Sequence, residues 1–398
     1  MPSGLGRALS TCALLAGCSA LQQPFVLRQA QDDIALGDRV SVWQATHSAR
    51  PVCKGSRVGQ AQCDVLIETN QVHSMYAGLS AKDLETAYDL PITKGKGQNV
   101  YVVDVCGNPN VGSDFATYRK AMGLPAGTLN TYNEEGQKRC PMYNSPSWGI
   151  EVDLDVEMAS ASCPKCTIDL VYANTNRWSD IEAAEEEAVK LGATIISNSY
   201  DGSGGDESAY DAEGVTYVAS AGDFGYGLYD PATFQRVIAV GGTFLSNAGG
   251  VKGNKRKYSE AVWPDSGGGC SSTDESKPSW QKDPDCPYRT GNDIAAVAVD
   301  ATEYDSYDES GWITVDGTSI ASPLIAGMIA LAGNSTKQDG GEMLWTLSRA
   351  EQKKYLYPVT SGNDGGSGET YLNTCGTKQF GIYCGPGGWG TPHGVGAL

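Results

Sequence analysis

Ser319 sits in Gly317-Thr318-Ser319-Ile320-Ala321-Ser322-Pro323, between a β-branched run, Ile313 to Val315, stopped by Asp316-Gly317, and an apolar segment reaching Gly333. The pattern predicts a strand, a turn and a buried helix opening near Thr318-Ser319, with Pro323 early enough to be tolerated. A hydroxyl at that opening could be a nucleophile. Gly317 removes bulk beside it, and the helix N-terminus offers partial positive charge where an oxyanion would form. An ordinary N-cap would use the same residue, so the question is which group takes the serine's proton.

Trp148 to Cys163 holds a candidate base. At about 100° per residue, Ile150, Leu154 and Met158 form one apolar stripe and Val152, Val156 and Ala159 another. Glu151 and Asp155 fall in the arc between the stripes, while Asp153 and Glu157 fall on the opposite, polar side. Like-charged neighbours on an apolar surface raise one pKa of the pair, which makes a carboxyl usable as a base or acid. The plainer alternative is an amphipathic helix with a wide polar face. A third cluster, Tyr217 to Gly225, is a strand ending in small residues with Asp223 between Gly222 and Gly225. Protonated, Asp223 could donate to an oxyanion; as a turn residue it would only hold its own backbone.

The elements that must position these residues alternate. Residues 78–91 read as a short helix ending before Pro91, and Asn99 to Val105 as a buried strand carrying Asp104 near its end. A helix around Ser113 to Met122 follows. Downstream come a strand at Thr167 to Ala173, a helix at Ser179 to Leu191, and strands at Ala193 to Ser199, Val215 to Ser220, Val237 to Val240 and Ile294 to Val299. The charged run Glu182 to Glu187 reads as a solvated face. Such alternation predicts an α/β fold with a mostly parallel central sheet and helices on both faces, its site at the carboxyl ends of the strands.

Taken together, Glu151 with Asp155 before Val156-Glu157, Ala221-Gly222-Asp223-Phe224-Gly225, and Gly317 to Pro323 resemble the sedolisins, serine-carboxyl peptidases with a subtilisin-like fold. The likeness runs from about Gly78 to Gly394 and includes Asp104 to Asn110, Tyr118-Arg119, Gly123 to Pro125 and Val240 to Thr243. It implies Ser319 as nucleophile, Glu151 as its base, Asp155 orienting Glu151 and sharing its proton, and Asp223 as oxyanion-hole acid. Asp104 would be a supporting carboxylate. Ser199 to Gly202 resembles the strand that pairs with substrate backbone, so Ser199 and Gly202 are expected to bind substrate, a protein or peptide. The competing pattern is an Asp-His-Ser peptidase with Asp104 as its Asp. Its histidine is missing: His47 and His73 precede the Asp104 strand, and His393 lies near the C-terminus. A carboxylate base implies an acidic optimum.

Three departures from the resemblance shape further expectations. Little more than the 19–75 stretch, read as a tether or short prosegment, precedes a catalytic domain spanning 76–398. Pro358-Val359-Thr360 and Gly385 to Gly390 replace the acid-bearing elements of the family's calcium site, so no cofactor or metal is expected there. Asp316 also adds a charge beside the nucleophile. The first two departures fit a second reading, an idle binding module on a peptidase scaffold.

Composition bounds the setting. Formal net charge is −18 over 398 residues, which argues against nucleic acid and anionic membrane surfaces as partners. Residues 1–18 read as a lipoprotein-type signal leaving Cys18 to carry lipid, with a simple secretory signal as the alternative. The expected location is thus the bacterial cell envelope or the medium, with any membrane contact made through that lipid, and a monomer is the default. Twelve cysteines, less Cys12 and Cys18, leave an even set; neighbour pairing would give Cys53–Cys63, Cys106–Cys140, Cys163–Cys166, Cys270–Cys286 and Cys375–Cys384. Cys163-Pro164-Lys165-Cys166 could instead be a redox or zinc element, but no second such pair exists.

Overall fold

The computed structural model describes residues 48–53, 55, 58–70, 73–138, 140, 148–247, 256–334 and 340–398. The signal and Cys18 lie outside them. The described chain opens with three short strands, β1 (Ala49–Pro51), β2 (Ala61–Cys63) and β3 (Leu66–Glu68). Helix α1 (Ala81–Tyr88) starts at a capping box formed by Ser80 and Asp83 and leads to β4 (Asn99–Val105). Then follow α2 (Val111–Ala121), β5 (Thr128–Asn133), α3 (Trp148–Ser162), β6 (Thr167–Ala173), α4 (Trp178–Lys190), β7 (Ile195–Asn198) and β8 (Tyr200–Gly202). Strands β9 (Thr216–Ser220), β10 (Val237–Asn247), β11 (Tyr258–Val262), β12 (Gly269–Cys270), β13 (Thr290–Gly291) and β14 (Ile294–Val297) come next. The hairpin β15 (Ala301–Asp305) and β16 (Gly311–Asp316) delivers α5 (Thr318–Ala332).

The main sheet runs β11-β10-β9-β7-β4-β6-β5, with β14 also paired to β10. All its pairs are parallel except β10 with β11. Alternate residues of β4 serve opposite faces: Tyr101 donates to the carbonyl of Leu191, just past α4, while Asp104 faces Asp155 of α3. Helices therefore cover both faces, and α3 packs along α5 under β4, β7 and β9. The two helices approach closely at Gly327, where a Cβ would stand 2.0 Å from Ser162 Oγ and 2.9 Å from the Ala159 carbonyl oxygen.

Two surface expectations give way. Every residue of α3 is buried, including Asp153 and Glu157 on the supposed polar side, because the β15–β16 hairpin packs on that face. On α4, Glu185 is also buried and accepts from the Tyr200 hydroxyl at 3.1 Å. The five neighbour disulfides all form. The stretch before residue 76 is structured in part: β3 pairs antiparallel with β16 and β2 with β8.

Candidate active site

The expected site residues meet at the carboxyl edge of the sheet. Helix α3 supplies Glu151 and Asp155 one turn apart, β4 supplies Asp104, the β7–β8 junction Ser199, the loop after β9 Asp223, and the first turn of α5 Ser319. None is more than 4 % exposed. Burial raises Glu151 well above the ordinary carboxyl range, Asp155 and Asp104 push it further, and the nearby Ser319 hydroxyl pulls it partly back. Asp155 is raised by burial, partly offset by the Ser199 hydroxyl, and Asp104 by burial and then by Asp155. Three buried acids in mutual repulsion cannot all ionise, so they share protons.

Neither carboxyl oxygen of Glu151 or Asp155 is in a closed hydrogen bond, and Ser319 Oγ makes a long 3.5 Å contact to the Ser199 carbonyl. Serine and base are neighbours in a loose arrangement of the kind that a bound substrate tightens. Asp223 is held more firmly. Its Oδ1 accepts from Thr318 N at 2.8 Å and Thr318 Oγ1 at 2.9 Å, while Oδ2 is unpartnered and burial raises its pKa. Gly317 is required here: its φ is +141°, and a Cβ would stand 2.9 Å from Asp223 Oδ2 and 2.2 Å from the Asp64 carbonyl oxygen. Those two oxygens therefore lie beside each other, next to Ser319 N, which donates to the Asp64 carbonyl at 3.2 Å.

Gly202 and Ser199, expected to meet substrate, are engaged by the chain itself: Gly202 opposes Ala61 in the β2–β8 ladder, and Ser199 O accepts from Asp64 N at 3.4 Å. Sequence reasoning missed two acids of this site. Asp64 Oδ2 accepts from Ser220 Oγ at 2.6 Å, and burial, then Asp201 and Asp223, raise its pKa. Asp201 is raised to about 7 by burial. Asp201 lay inside a motif that drew attention to its neighbours, and Asp64 in a stretch without periodicity; its one signal was adjacency to Cys63.

A second acidic group lies behind α3. Asp153 and Glu157 face Glu303 and Asp305 of β15, with Asp114 of α2 beside them, and the oxygens of Asp153, Glu303 and Asp305 fall within 4.8 Å of one another. Burial raises Asp153, Glu157, Glu303 and Asp305 alike, and mutual repulsion adds to it.

Residues 163–357 match the Subtilase family. The chain is 28% identical over 324 residues to Kumamolisin of Bacillus sp. (strain MN-32), covering 71% of this chain and 57% of that protein. It is 30% identical over 169 residues to Xanthomonalisin of Xanthomonas sp. (strain T-22), covering 39% of this chain and 20% of that one. It thus spans little more than half the length of the first of these relatives. Among solved structures, Pseudomonas sedolisin, a serine-carboxyl proteinase complexed with two molecules of pseudo-iodotyrostatin, has a TM-score of 0.62 at 23% identity, covering 80% of this chain and 96% of that one. Sphericase has a TM-score of 0.50 at 20% identity, covering 80% and 99%. The solved structures share the fold of this chain, and the sequence likenesses are to the Subtilase family over residues 163–357 and to two relatives, each matched over part of its length.

Proposed function

We propose that this chain is a serine-carboxyl peptidase, an endopeptidase or one that trims tripeptides from amino termini, that hydrolyses protein or peptide bonds in acid through an acyl-enzyme on Ser319. The observation that carries this reading is a peptide carbonyl oxygen, that of Asp64, resting on Ser319 N beside the unpartnered Oδ2 of Asp223, with Glu151 next to the hydroxyl. Glu151 takes the Ser319 proton as Oγ attacks a substrate carbonyl, and Asp155, backed by Asp104, orients Glu151 and shares its proton. Ser319 N and protonated Asp223 stabilise the oxyanion. Glu151 then returns the proton to the leaving amine, and water, activated the same way, releases the acyl group. The backbone of Ser199 and Gly202 pairs with the substrate strand.

Protonation decides where in pH this works. One carboxyl of the Glu151–Asp155 pair must be ionised while Asp223 stays protonated, and all three are raised by burial, so both limbs of the profile lie above ordinary carboxyl values yet activity fades as Asp223 ionises. The family's calcium ion does not fit the C-terminal loop. Val359, Cys375, Cys384 and Val262 make an apolar cluster there, and a Cβ on Gly387 would stand 2.8 Å from Cys384 Sγ. We therefore keep the reading without a cofactor. Five disulfides suit a protein working outside the cytoplasm, as an envelope lipoprotein or a secreted form. No described helix is long and apolar enough to cross a membrane.

A second reading, an idle binding module, has one observation in its favour: Ser319 is fully buried under the chain's own residues. The two separate in one experiment. Purified chain is incubated with a denatured protein from about pH 3 to about pH 8, alongside Ser319→Ala and Glu151→Ala. Acid-limited cleavage lost in both variants is expected; a folded, disulfide-bonded sample that cuts nothing at any pH supports the idle module.

A further inference from the structure

On the face of α3 opposite Glu151 and Asp155, helices α2 and α3 and strand β15 pack on one another around the second acidic group. Three of its acids are fixed through one oxygen each. Asp153 Oδ2 accepts from Asn108 Nδ2 at 2.5 Å, Glu157 Oε2 from Tyr304 N at 3.1 Å, and Asp305 Oδ1 from Asp308 N at 2.6 Å and Glu309 N at 2.9 Å. Their other oxygens, Asp153 Oδ1, Glu157 Oε1 and Asp305 Oδ2, are buried without a hydrogen-bond partner, as are both oxygens of Glu303. Among the described residues no Lys or Arg forms an ion pair with any of these four acids. Protons alone could quiet such a group. The independent sign is Tyr118 of α2, whose hydroxyl is fully buried, has no partner, and lies where Glu157 and Glu303 are the charges that act on it most.

The separations suit a metal ion. Oxygens of Asp153, Glu303 and Asp305 fall within 4.8 Å of one another. Calcium binds carboxyl oxygens at about 2.3–2.6 Å, so two oxygens on opposite sides of one ion stand about 5 Å apart. The unpartnered carboxyl oxygens and the Tyr118 hydroxyl make an all-oxygen set, which a hard cation prefers to a soft one. We propose that Asp153, Glu303 and Asp305 form a structural site for a divalent cation of calcium's size, with Glu157 Oε1 and the Tyr118 hydroxyl beside it.

The ion takes no part in the peptidase step, and the inference does not depend on the reading of Ser319. Its effect is to tie elements that the site needs in register. Helix α3 carries Glu151 and Asp155 on its other face, and β15 belongs to the hairpin that delivers α5 and Ser319. Asp114 Oδ2, which accepts from Ser306 N at 3.1 Å, Ser306 Oγ at 3.0 Å and Asn108 Nδ2 at 3.2 Å, holds α2 against the end of β15 and the residue that fixes Asp153. Without the ion the same oxygens repel one another or share protons.

The test uses full chain stripped of metal with a chelator and held near neutral pH. Calcium chloride is titrated in by calorimetry, and thermal unfolding is followed with and without it. Terbium serves as a second probe, because Tyr118, and Trp312 with its ring 6.4 Å from that of Tyr118, can pass excitation to a lanthanide bound there. Expected are a single calcium ion per chain, a melting temperature raised by about 3 °C or more at saturation, and terbium emission excited through the aromatic rings and displaced by calcium. Glu303→Gln and Asp153→Asn, made separately, are expected to lose the calorimetric site and the rise while melting no lower than the wild type in chelator, since each removes a buried repulsion. That comparison separates a ligand from an acid that only supports the fold. No heat on titration, with the same melting temperature in calcium and in chelator, would overturn the inference and leave the cluster to protons. Calcium binding and stabilisation retained in both variants would overturn it too, since the ion then sits elsewhere.

Discussion

In the proposed mechanism Glu151 owes its role to where it stands: fully buried, with Asp155 one turn along the helix and Asp104 across from it. Replacing it with Gln keeps the shape and removes the proton acceptor. Glu151→Gln is expected to lower kcat by about 10³-fold or more with KM changed little, since the loss is felt in the transition state; initial rates at the acid optimum measure it, and a loss under tenfold would move the base role to Asp155. Asp223 allows a sharper test. Asp223→Ala removes the donor and should cost about 10²- to 10³-fold in kcat, whereas Asp223→Asn keeps an N–H donor that does not titrate. If Asp223 ionisation sets the upper limb, Asn in its place shifts that limb to higher pH, and an unchanged pH profile in Asp223→Asn would remove Asp223 from the oxyanion hole. Ser319, Glu151, Asp155 and Asp223 were legible because each stands in a local pattern. Asp64 and Asp201 were not, since their importance comes only from what they face.

At the scale of elements, the position of Ser319 against Glu151 depends on how α5 lies along α3. The contact at Gly327 sets that spacing, with Ser162 Oγ and the Ala159 carbonyl where a side chain would go. Gly327→Ala forces the helices apart and is expected to destabilise by about 1–3 kcal/mol, as overpacking does, and to lower kcat more than it raises KM. Thermal unfolding and steady-state kinetics check both. Adding Ser162→Ala relieves the closer clash and should restore part of each loss; no recovery in the double variant would mean the Ala159 carbonyl sets the limit. The two helices were predicted within a residue or two, yet the burial of Asp153 and Glu157 was not. Periodicity placed them opposite the apolar stripes, a face that the tertiary structure covers with β15 and α2.

The whole molecule carries an unusual load of buried carboxyls. Asp64, Asp104, Glu151, Asp153, Asp155, Glu157, Glu185, Asp223 and Glu303 are all raised by burial, and Asp201 and Asp364 to about 7. A group with its pKa raised on folding binds its proton more tightly in the native state. Its stabilisation is therefore complete below the unfolded carboxyl value, about 4, and is lost as pH climbs through the folded value. The melting temperature is expected to be highest in acid and to fall between about pH 4 and about pH 8, as followed by circular dichroism. Asp364→Asn, which cannot ionise, should flatten the upper part of that fall. A maximum at or above neutrality would contradict the protonated state of these clusters. The formal charge of −18 adds a weaker, screened repulsion in the same direction.

The sequence by itself determined what short-range physics controls: the alternating strands and helices of the α/β sheet, the glycine turn before Ser319, and the i to i+4 acids of α3. Each depends on residues close along the chain. Only the tertiary structure decided how far these groups are removed from water, which is what raises their pKa values. It alone also brought residues 59–64 onto β8 and the Asp64 carbonyl onto Ser319 N. That pairing joins segments more than a hundred residues apart through backbone groups, which every residue carries, so no side-chain pattern announces it.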